Sequence, residues 1–259
     1  MSDLRPQPLW SGVAVALVTL FEPDGVRVDV AATAAHARRL VGLGMRGVLV
    51  AGTTGEADAL GDDERIELVA GVRAACPGVP VVAGASGPWT GPAVARAQAA
   101  VKAGADAVLV APPPRSLNLP AYYAAVAEAA SPAPVLAYHF PGVAGGEIPL
   151  DVLPQLPVVG VKDSTGSAER LLAELDAWDG WTCVGSAAVT GYAGWLGATG
   201  AILAVANAVP EDAIAAWDGD GAAQRRLFAA HRAAQTRFPY GLKELMARRF
   251  GTATAGRMG

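Results

Sequence analysis

Short apolar runs alternate with longer amphipathic stretches along almost all of the 259 residues. Each run is bounded by Gly, Pro or Asp, and an alanine-rich segment of helical length follows it, which predicts a strand and then a helix. The runs are continuous rather than alternating, as expected for parallel strands that are buried on both faces. The predicted strands are 13–17, 47–50, 79–83, 107–110, 135–138, 158–161, 181–185 and 200–205.

The segments between these runs predict helices, several of which begin at Asp, Ser or Thr and end at Gly. Repeated strand and helix units predict an α/β fold, a (β/α)8 TIM barrel within residues 1–209. A doubly wound open sheet is the alternative, but it would usually have fewer strands and a glycine-rich phosphate turn after the first. The predicted helices are 29–43, 62–75, 91–103, 120–130, 167–175 and 187–196.

The chain beyond residue 209 predicts two further helical stretches, around 220–237 and 242–250. We expect residues 210–250 to form a helical extension packed on the barrel. Residues 251–259 are mostly small and are expected to be a flexible tail. A length of 259 residues fits one barrel better than two small domains.

Composition narrows the classes of function. Hydrophobic residues make up 52% of the chain and charged residues 17%, enough apolar surface for one large core. The net charge of -4 comes without a basic stripe, so we expect no nucleic-acid partner, and no apolar run is long enough for a membrane helix. We therefore expect a cytoplasmic protein. The Cys and His residues are scattered, which predicts neither a disulfide nor a metal site; they are Cys76, Cys183, His36, His139 and His231.

Polar residues follow several of the predicted strands. In a (β/α)8 barrel the active site lies at the C-terminal ends of the strands, so these residues are expected to face one shared mouth. They are the Gly-Thr-Thr-Gly-Glu run 52–56 after strand two, Tyr138 to Gly142 at strand five, Lys162 and Asp163 at strand six, and Gly185 and Ser186 at strand seven.

Lys162 is the strongest candidate for a catalytic residue because lysine is rare in this chain. Only Lys102, Lys162 and Lys243 are lysines, and the remaining basic residues are arginines. A lysine that ends a buried strand suggests that a primary amine is needed, since a guanidinium cannot lose its proton and attack a carbonyl. The alternative is a structural lysine, ion-paired with a neighbour such as Asp163.

Tyr138 and the two threonines are the candidate partners of this lysine. Tyr138 ends the neighbouring strand, where its phenol is placed to carry protons to and from the lysine site. Thr53 and Thr54 lie in a glycine-flanked turn whose hydroxyl and N–H groups can hold a carboxylate. Considered alone, Tyr138 can also be a rim residue, and the threonine turn an ordinary connection.

In this order and spacing, the motifs resemble the dihydrodipicolinate synthase / N-acetylneuraminate lyase family of class I pyruvate-dependent aldolases. The resemblance extends over residues 13–250. It is carried by the 52–56 turn, by Tyr138 with Pro141, by the Gly-Val-Lys-Asp-Ser-Thr-Gly run 160–166, and by residues 197–200 with Asn207.

The resemblance implies a role for each matching residue. Lys162 forms a Schiff base with pyruvate, Tyr138 relays protons, and Thr53 has a catalytic as well as a binding role. No cofactor is implied beyond the covalent imine on Lys162, and the family suggests a homo-oligomer, either a dimer or a tetramer. Substrate-binding positions are expected at Gly52, Thr53, Thr54, Gly185, Ser186, Ile202 and Arg115, whereas Glu56 is expected to support the loop.

Departures from the family pattern concern the second substrate. Val143 stands where the synthases have an arginine for that substrate's carboxylate, and Pro114 falls in the segment where a second relay tyrosine is common. His139 replaces a usual Asn, and Lys-Asp-Ser resembles the members that act on 2-keto-3-deoxy sugar acids. Tyr122 and Tyr123 lie nearby in a predicted helix and are expected to pack in the core.

The resemblance therefore predicts an aldolase that splits a 2-keto-3-deoxy sugar acid into pyruvate and an aldehyde, or condenses them. A dehydratase acting on similar acids and a 4-hydroxy-tetrahydrodipicolinate synthase are alternatives. A barrel that binds a 2-oxo acid without catalysis is the alternative outside the enzymes.

Overall fold

The computed structural model describes residues 7–258 and contains a closed barrel of eight parallel strands in the order β1 to β8. Every predicted strand is present, with ends shifted by one or two residues at most positions. The predicted TIM-barrel fold is confirmed. The strands are β1 Gly12–Ala16, β2 Val48–Val50, β3 Val81–Gly84, β4 Ala107–Val110, β5 Val135–His139, β6 Gly160–Asp163, β7 Trp181–Val184 and β8 Gly200–Leu203.

Side chains alternate between the inside of the barrel and the layer beneath the helices, because successive residues of a strand point to opposite faces. On β5, for example, Leu136 and Tyr138 belong to the inner cluster, while Val135 and Ala137 pack against the surrounding helices. The barrel therefore has two hydrophobic cores, one enclosed by the strands and one between strands and helices.

Helices follow the strands in turn, with one exception. The connection from β5 to β6 has only a 3₁₀ turn, Leu153–Gln155, and the sequence predicted no helix there either. Ile148, Leu153 and Leu156 are buried and cover this flank of the barrel instead. The helices are α1 Val30–Gly42, α2 Asp62–Ala75, α3 Thr90–Lys102, α4 Leu119–Ala130, α5 Ala168–Ala177, α6 Thr190–Trp195, α7 Pro210–Trp217, α8 Gly221–Gln235 and α9 Tyr240–Phe250.

Polar side chains cap several of these helices, as the sequence predicted. Asp29 accepts a hydrogen bond from the backbone N–H of Ala32 at the start of α1, and Ser167 accepts one from Arg170 at the start of α5. Such a cap satisfies an N–H group that has no partner within the helix. No helix within residues 7–258 is long and apolar enough to cross a membrane.

The region after β8 differs from the prediction in two respects. Helix α7 packs against α6, α8 and β1, so it closes the outer layer of the barrel, and the extension proper is α8 and α9. Residues 252–258 have no helix or strand, yet backbone groups of Arg257 and Met258 donate hydrogen bonds to the carboxylate of Glu56. This segment is thus anchored to the barrel, in contrast to the predicted flexible tail.

Asn207 links the two ends of the barrel sequence. Strand β1 pairs with β8, and just beyond this pairing the buried Asn207 amide donates to the carbonyl of Ala16 at 2.7 Å and accepts from the N–H of Val18 at 3.2 Å. The same amide donates to the carbonyl of Ala204, which follows β8, at 2.7 Å. We call this junction of β1 and β8 the seam, and a buried side chain that satisfies backbone groups on both sides of it stabilises it.

Candidate active site

Lys162 lies inside the barrel, on the same face as its two strand neighbours. Its Cα is in register with Tyr138 on β5 and with Cys183 on β7, both of which belong to the inner cluster. Only 5% of Lys162 is exposed. Its Nζ lies 4.5 Å from the centroid of the Tyr138 ring. The sequence-based placement of a lysine beside this tyrosine therefore matches the geometry.

The neighbouring thiol reveals how weakly this interior solvates charge. Cys183 is fully buried, and burial raises the pKa of its thiol to about 12, although the nearby charge of Lys162 acts in the opposite direction. Lys162 is in register with Cys183 and is itself buried, so its side chain stands in this same interior.

Tyr138 connects the lysine to the threonine turn. Its hydroxyl lies 3.4 Å from Thr53 Oγ1, at hydrogen-bonding distance. Thr53–Gly55 form a 3₁₀ turn directly after β2, and the first N–H groups of such a turn have no acceptor within it. The turn is held from outside, because Thr19 Oγ1 donates to the carbonyl of Gly55 at 2.7 Å. A carboxylate acceptor therefore has hydroxyl and N–H donors within a few ångströms of the tyrosine.

Gly185 leaves room for the Lys162 side chain because it has no side chain of its own. A Cβ at this position would lie 1.9 Å from Ser164 Oγ and 2.9 Å from Lys162 Cε. Any side chain here would displace both residues. The glycine that follows β7 is thus part of the shape of the site, as its position at the strand end suggested.

Two adjoining cavities open at the C-terminal ends of the strands. The first, which we call the lysine lobe, has a volume of about 360 Å³ and contains most of the predicted site residues. The sequence-predicted residues that line it are Thr53, Thr54, Tyr138, Lys162, Gly185, Ser186 and Ile202.

The second cavity, which we call the arginine lobe, has a volume of about 300 Å³ and shares Thr53, Tyr138 and Val143 with the first. Gly52 lines this lobe together with Arg65 and Arg96. Both guanidinium groups also bind backbone carbonyl oxygens, and Arg96 pairs with the carboxylate of Asp62.

Arg115 is not brought to either lobe. It lies in an exposed loop and lines a separate surface depression beside Trp89 and Pro114. Pro112 and Pro114, which precede it, line the arginine lobe, but Arg115 itself does not, so the geometry does not support the predicted substrate contact. Tyr122 and Tyr123 are buried, as predicted, and their hydroxyls donate to the carbonyls of Ala111 and Val110.

Four polar residues of the lysine lobe were missed by the sequence analysis. Ser164 and Thr165 follow β6 directly, so the strand-end rule was sufficient to find them. His231 and Gln235 belong to α8 and approach the lobe only through the packing of the C-terminal helices. No local signal marks such residues. Within residues 7–258, no three His, Cys, Asp or Glu side chains are grouped as metal ligands.

Asp163 points away from the lysine into a buried charged cluster. Arg170 Nε lies 2.8 Å from Asp163 Oδ2 and 2.9 Å from Glu174 Oε1. His139, next to Tyr138, faces the same cluster, and burial together with the charge of Arg170 lowers the pKa of its imidazole to about 4. Neither Asp163 nor His139 lines the lysine lobe. Asp163 is therefore not the ion-pair partner of Lys162 that the structural alternative proposed.

Glu174 in this cluster predicts an unusual pH dependence of stability. Burial and the charge of Asp163 raise the pKa of the Glu174 carboxyl from 4.5 to about 7. The unfolded chain therefore releases this proton at a lower pH than the folded protein. Stability from this group is present below pH 4.5 and decreases as the pH rises towards 7. Glu174→Gln should remove this loss and raise the free energy of unfolding at pH 8 by about 1 to 3 kcal/mol.

Denaturant unfolding at pH 5 and pH 8 measures this effect. Arg170 retains Asp163 and the carbonyl of Ile148 as partners in the variant, so it is not left unpaired. Glu169→Gln, on the exposed face of the same helix, is the matched control and should leave the pH dependence unchanged. Equal pH profiles for wild type and Glu174→Gln would contradict the prediction.

The fold and the buried lysine at the end of β6 define a TIM barrel with an amine at its mouth, and sequence comparison identifies its family. The dihydrodipicolinate synthetase family model matches residues 9–232. The chain belongs to this family. The resemblance inferred from the motifs is thereby confirmed.

Individual relatives support the same conclusion. A 4-hydroxy-tetrahydrodipicolinate synthase of a Synechococcus species is 37% identical over 66% of this chain, and the match spans only 59% of that protein's length. An uncharacterized DapA-like lyase of Halobacterium salinarum is 34% identical over 88% of this chain and 80% of its own.

A solved structure resembles this fold over nearly its full length. It is the chloride-inhibited dihydrodipicolinate synthase of Acinetobacter baumannii in complex with pyruvate, which is 25% identical with a TM-score of 0.86. The alignment covers 97% of this chain and 92% of that one.

Proposed function

We propose that this chain is a Schiff-base-forming lyase that uses pyruvate as its keto component and cleaves or condenses a 2-keto-3-deoxy sugar acid. The observation that carries the proposal is the position of Lys162. Its amine lies in a weakly solvated interior at the mouth of the barrel, 4.5 Å from the Tyr138 ring centroid, with the Tyr138 hydroxyl at hydrogen-bonding distance from Thr53. Membership of the family and the pyruvate complex of the similar synthase support the choice of keto component.

The proposed reaction begins when the Lys162 amine attacks the C2 carbonyl of the 2-oxo acid. A carbinolamine forms and loses water to give an iminium ion. The C4 hydroxyl then loses its proton, the C3–C4 bond breaks, and its electron pair moves into the iminium to form an enamine while an aldehyde departs. Protonation at C3 and addition of water release pyruvate and restore the amine. The iminium acts as the electron sink that makes C–C cleavage possible.

In this reaction Tyr138 carries protons, and the threonine turn holds the carboxylate. The Tyr138 phenol donates a proton to the departing hydroxyl of the carbinolamine and accepts the proton of the C4 hydroxyl. Thr53 and Thr54 offer hydroxyl and backbone N–H donors to the carboxylate, which orients the adjacent carbonyl towards Lys162.

The remaining lining of the lysine lobe favours a hydroxylated aldehyde. Ser164, Thr165 and Ser186 contribute hydroxyl groups, and Gln235 an amide, which pair with sugar hydroxyls. Val143 lies at the junction of the lobes, where the resemblance implies an arginine in the synthases. An aliphatic side chain cannot bind the carboxylate of a second substrate.

A 4-hydroxy-tetrahydrodipicolinate synthase is the second candidate. It is favoured by the similarity to the Synechococcus enzyme and by the two guanidinium groups of the arginine lobe, which could replace the missing cation. The acceptors separate the candidates, because the synthase requires a carboxylated amino aldehyde and the sugar acid lyase a polyhydroxylated one. A dehydratase would release water from the sugar acid without releasing pyruvate.

We also propose that the protein is a homo-oligomer, a dimer or a tetramer, which analytical sedimentation can test.

Borohydride trapping tests the proposed function directly. Incubation of the protein with pyruvate and sodium borohydride should reduce the imine to a stable secondary amine and increase the mass of one peptide, the peptide that contains Lys162. An unmodified Lys162, under conditions that label a control lyase, would contradict the proposal. A labelled protein that turns over no aldehyde or sugar acid would instead support the binding barrel without catalysis.

A further inference from the structure

The segment after α9 runs along the outside of the threonine turn. We call residues 252–258 the C-terminal strap. The N–H groups of Arg257 and Met258 donate to Glu56 Oε2 at 2.8 and 3.0 Å. Lys243 on α9 donates to Glu56 Oε1 and, at 2.7 Å, to the carbonyl of Ala255. The strap and α9 thus enclose the carboxylate of Glu56.

The Arg257 side chain extends this attachment to three other parts of the chain. Its guanidinium binds both carboxylate oxygens of Glu64 at 2.6 and 2.7 Å, which joins the strap to the first turn of α2. The same group donates to the carbonyl of Ala59 at 2.7 Å, and its Nε donates to the carbonyl of Val26 at 2.9 Å. A bidentate arginine pair combines strength with a defined geometry.

Glu56 carries these contacts into the turn that presents Thr53 and Thr54. It directly follows Gly55, is fully buried, and has a φ of 57°. This left-handed conformation is unfavourable for a residue with a side chain, so surrounding contacts must hold it. The buried carboxylate requires the Lys243 ammonium and the two strap N–H groups for the same reason that any buried charge needs partners.

Gly256 allows the strap to approach this closely. A Cβ at residue 256 would lie 2.8 Å from Glu56 Oε1 and 3.0 Å from Lys243 Nζ. Replacing this glycine by alanine would therefore push the strap away from Glu56 without removing any charge.

We infer that Lys243 and Arg257 are positioning residues that, through Glu56, hold the Thr53 and Thr54 donors in place for the substrate carboxylate. The inference rests on the proposed function, because it assigns the turn its carboxylate. Loss of the strap leaves Lys162 and Tyr138 where they are, on β6 and β5. It loosens only the turn. Recognition of the carboxylate should therefore weaken while the amine keeps its reactivity towards a carbonyl.

Comparing borohydride trapping by two ketones of similar size distinguishes a positioning role of the strap from a general effect on protein stability. Pyruvate carries the carboxylate, whereas hydroxyacetone does not, and both form an imine that borohydride traps. Arg257→Ala should need about tenfold more pyruvate for half-maximal trapping, which corresponds to the loss of one or two well-aligned hydrogen bonds. The hydroxyacetone concentration that gives half-maximal trapping should be unchanged. Arg257→Lys should recover part of the pyruvate response, and Gly256→Ala should behave like Arg257→Ala.

Arg226→Ala is the matched control, because Arg226 also pairs with a carboxylate, Asp212, on the helices that follow β8. It should trap both ketones like the wild type. A parallel loss with both ketones in Arg257→Ala and Gly256→Ala, or no loss with either, would overturn the inference. If Arg257→Ala does not fold, Gly256→Ala and Arg257→Lys decide the question. A wild-type protein that pyruvate does not label would overturn the proposed function and the inference with it.

Discussion

Lys162→Arg is expected to abolish imine formation while leaving the barrel folded. Arginine keeps the positive charge and much of the aliphatic stem, but its guanidinium stays protonated and does not condense with a carbonyl. Turnover of a sugar acid should fall by about 10⁴-fold or more, as is usual when a covalent nucleophile is removed. Pyruvate release and the mass of the borohydride-reduced protein measure the two parts of this expectation.

Lys102→Arg is the control for the chemistry of the substitution. Lys102 is exposed at the end of α3, so its replacement should change neither trapping nor turnover. Retained turnover in Lys162→Arg would remove Lys162 from the mechanism. Such a result would instead favour a purely structural role for Lys162.

Tyr138→Phe is expected to lower kcat/KM by about 10² to 10⁴-fold, the usual contribution of a positioned acid and base. The ring remains, so the surface against which Lys162 packs is preserved, but the group that contacts Thr53 Oγ1 is lost. Imine formation should become slow because the carbinolamine loses its proton donor. The rate of borohydride trapping measures this step, and turnover measures the whole cycle.

Tyr122→Phe provides the comparison, since it removes a buried hydroxyl that donates to the carbonyl of Ala111. That loss should reduce stability by about 1 kcal/mol. It should not change kcat/KM. Equal kinetic losses in the two variants would show that the Tyr138 hydroxyl acts through stability rather than proton transfer.

The strands and the positions of Lys162 and Tyr138 at their ends were predictable because the pattern that places them is local. A run such as 107–110 is apolar throughout, which is what burial on both faces requires, and the predicted ends match β4. The position of Lys162 followed from the rule that strand ends of a barrel share one mouth. The alternation of side chains then explains why Lys162 faces inwards whereas Asp163 faces outwards.

Residues that tertiary packing alone brings together were not predictable. His231 and Gln235 reach the lysine lobe because α8 packs beside the barrel mouth, and nothing in their own segment indicates this. Arg115 was a plausible ligand by chain position, but it lines a separate surface depression and neither lobe. The small residues 251–259 suggested flexibility, because small side chains make few contacts. The anchoring of the described part of this segment comes instead from backbone N–H groups and from Arg257.

The seam at Asn207 has a consequence for how the chain folds during synthesis. Strands β1 to β7 can pair in order as they leave the ribosome, but the sheet cannot become a barrel until β8 and Asn207 have been made. Until then the sheet has two open edges, at β1 and at the newest strand. Open edges can pair with other chains, so the nascent protein is vulnerable to aggregation until its last strand emerges.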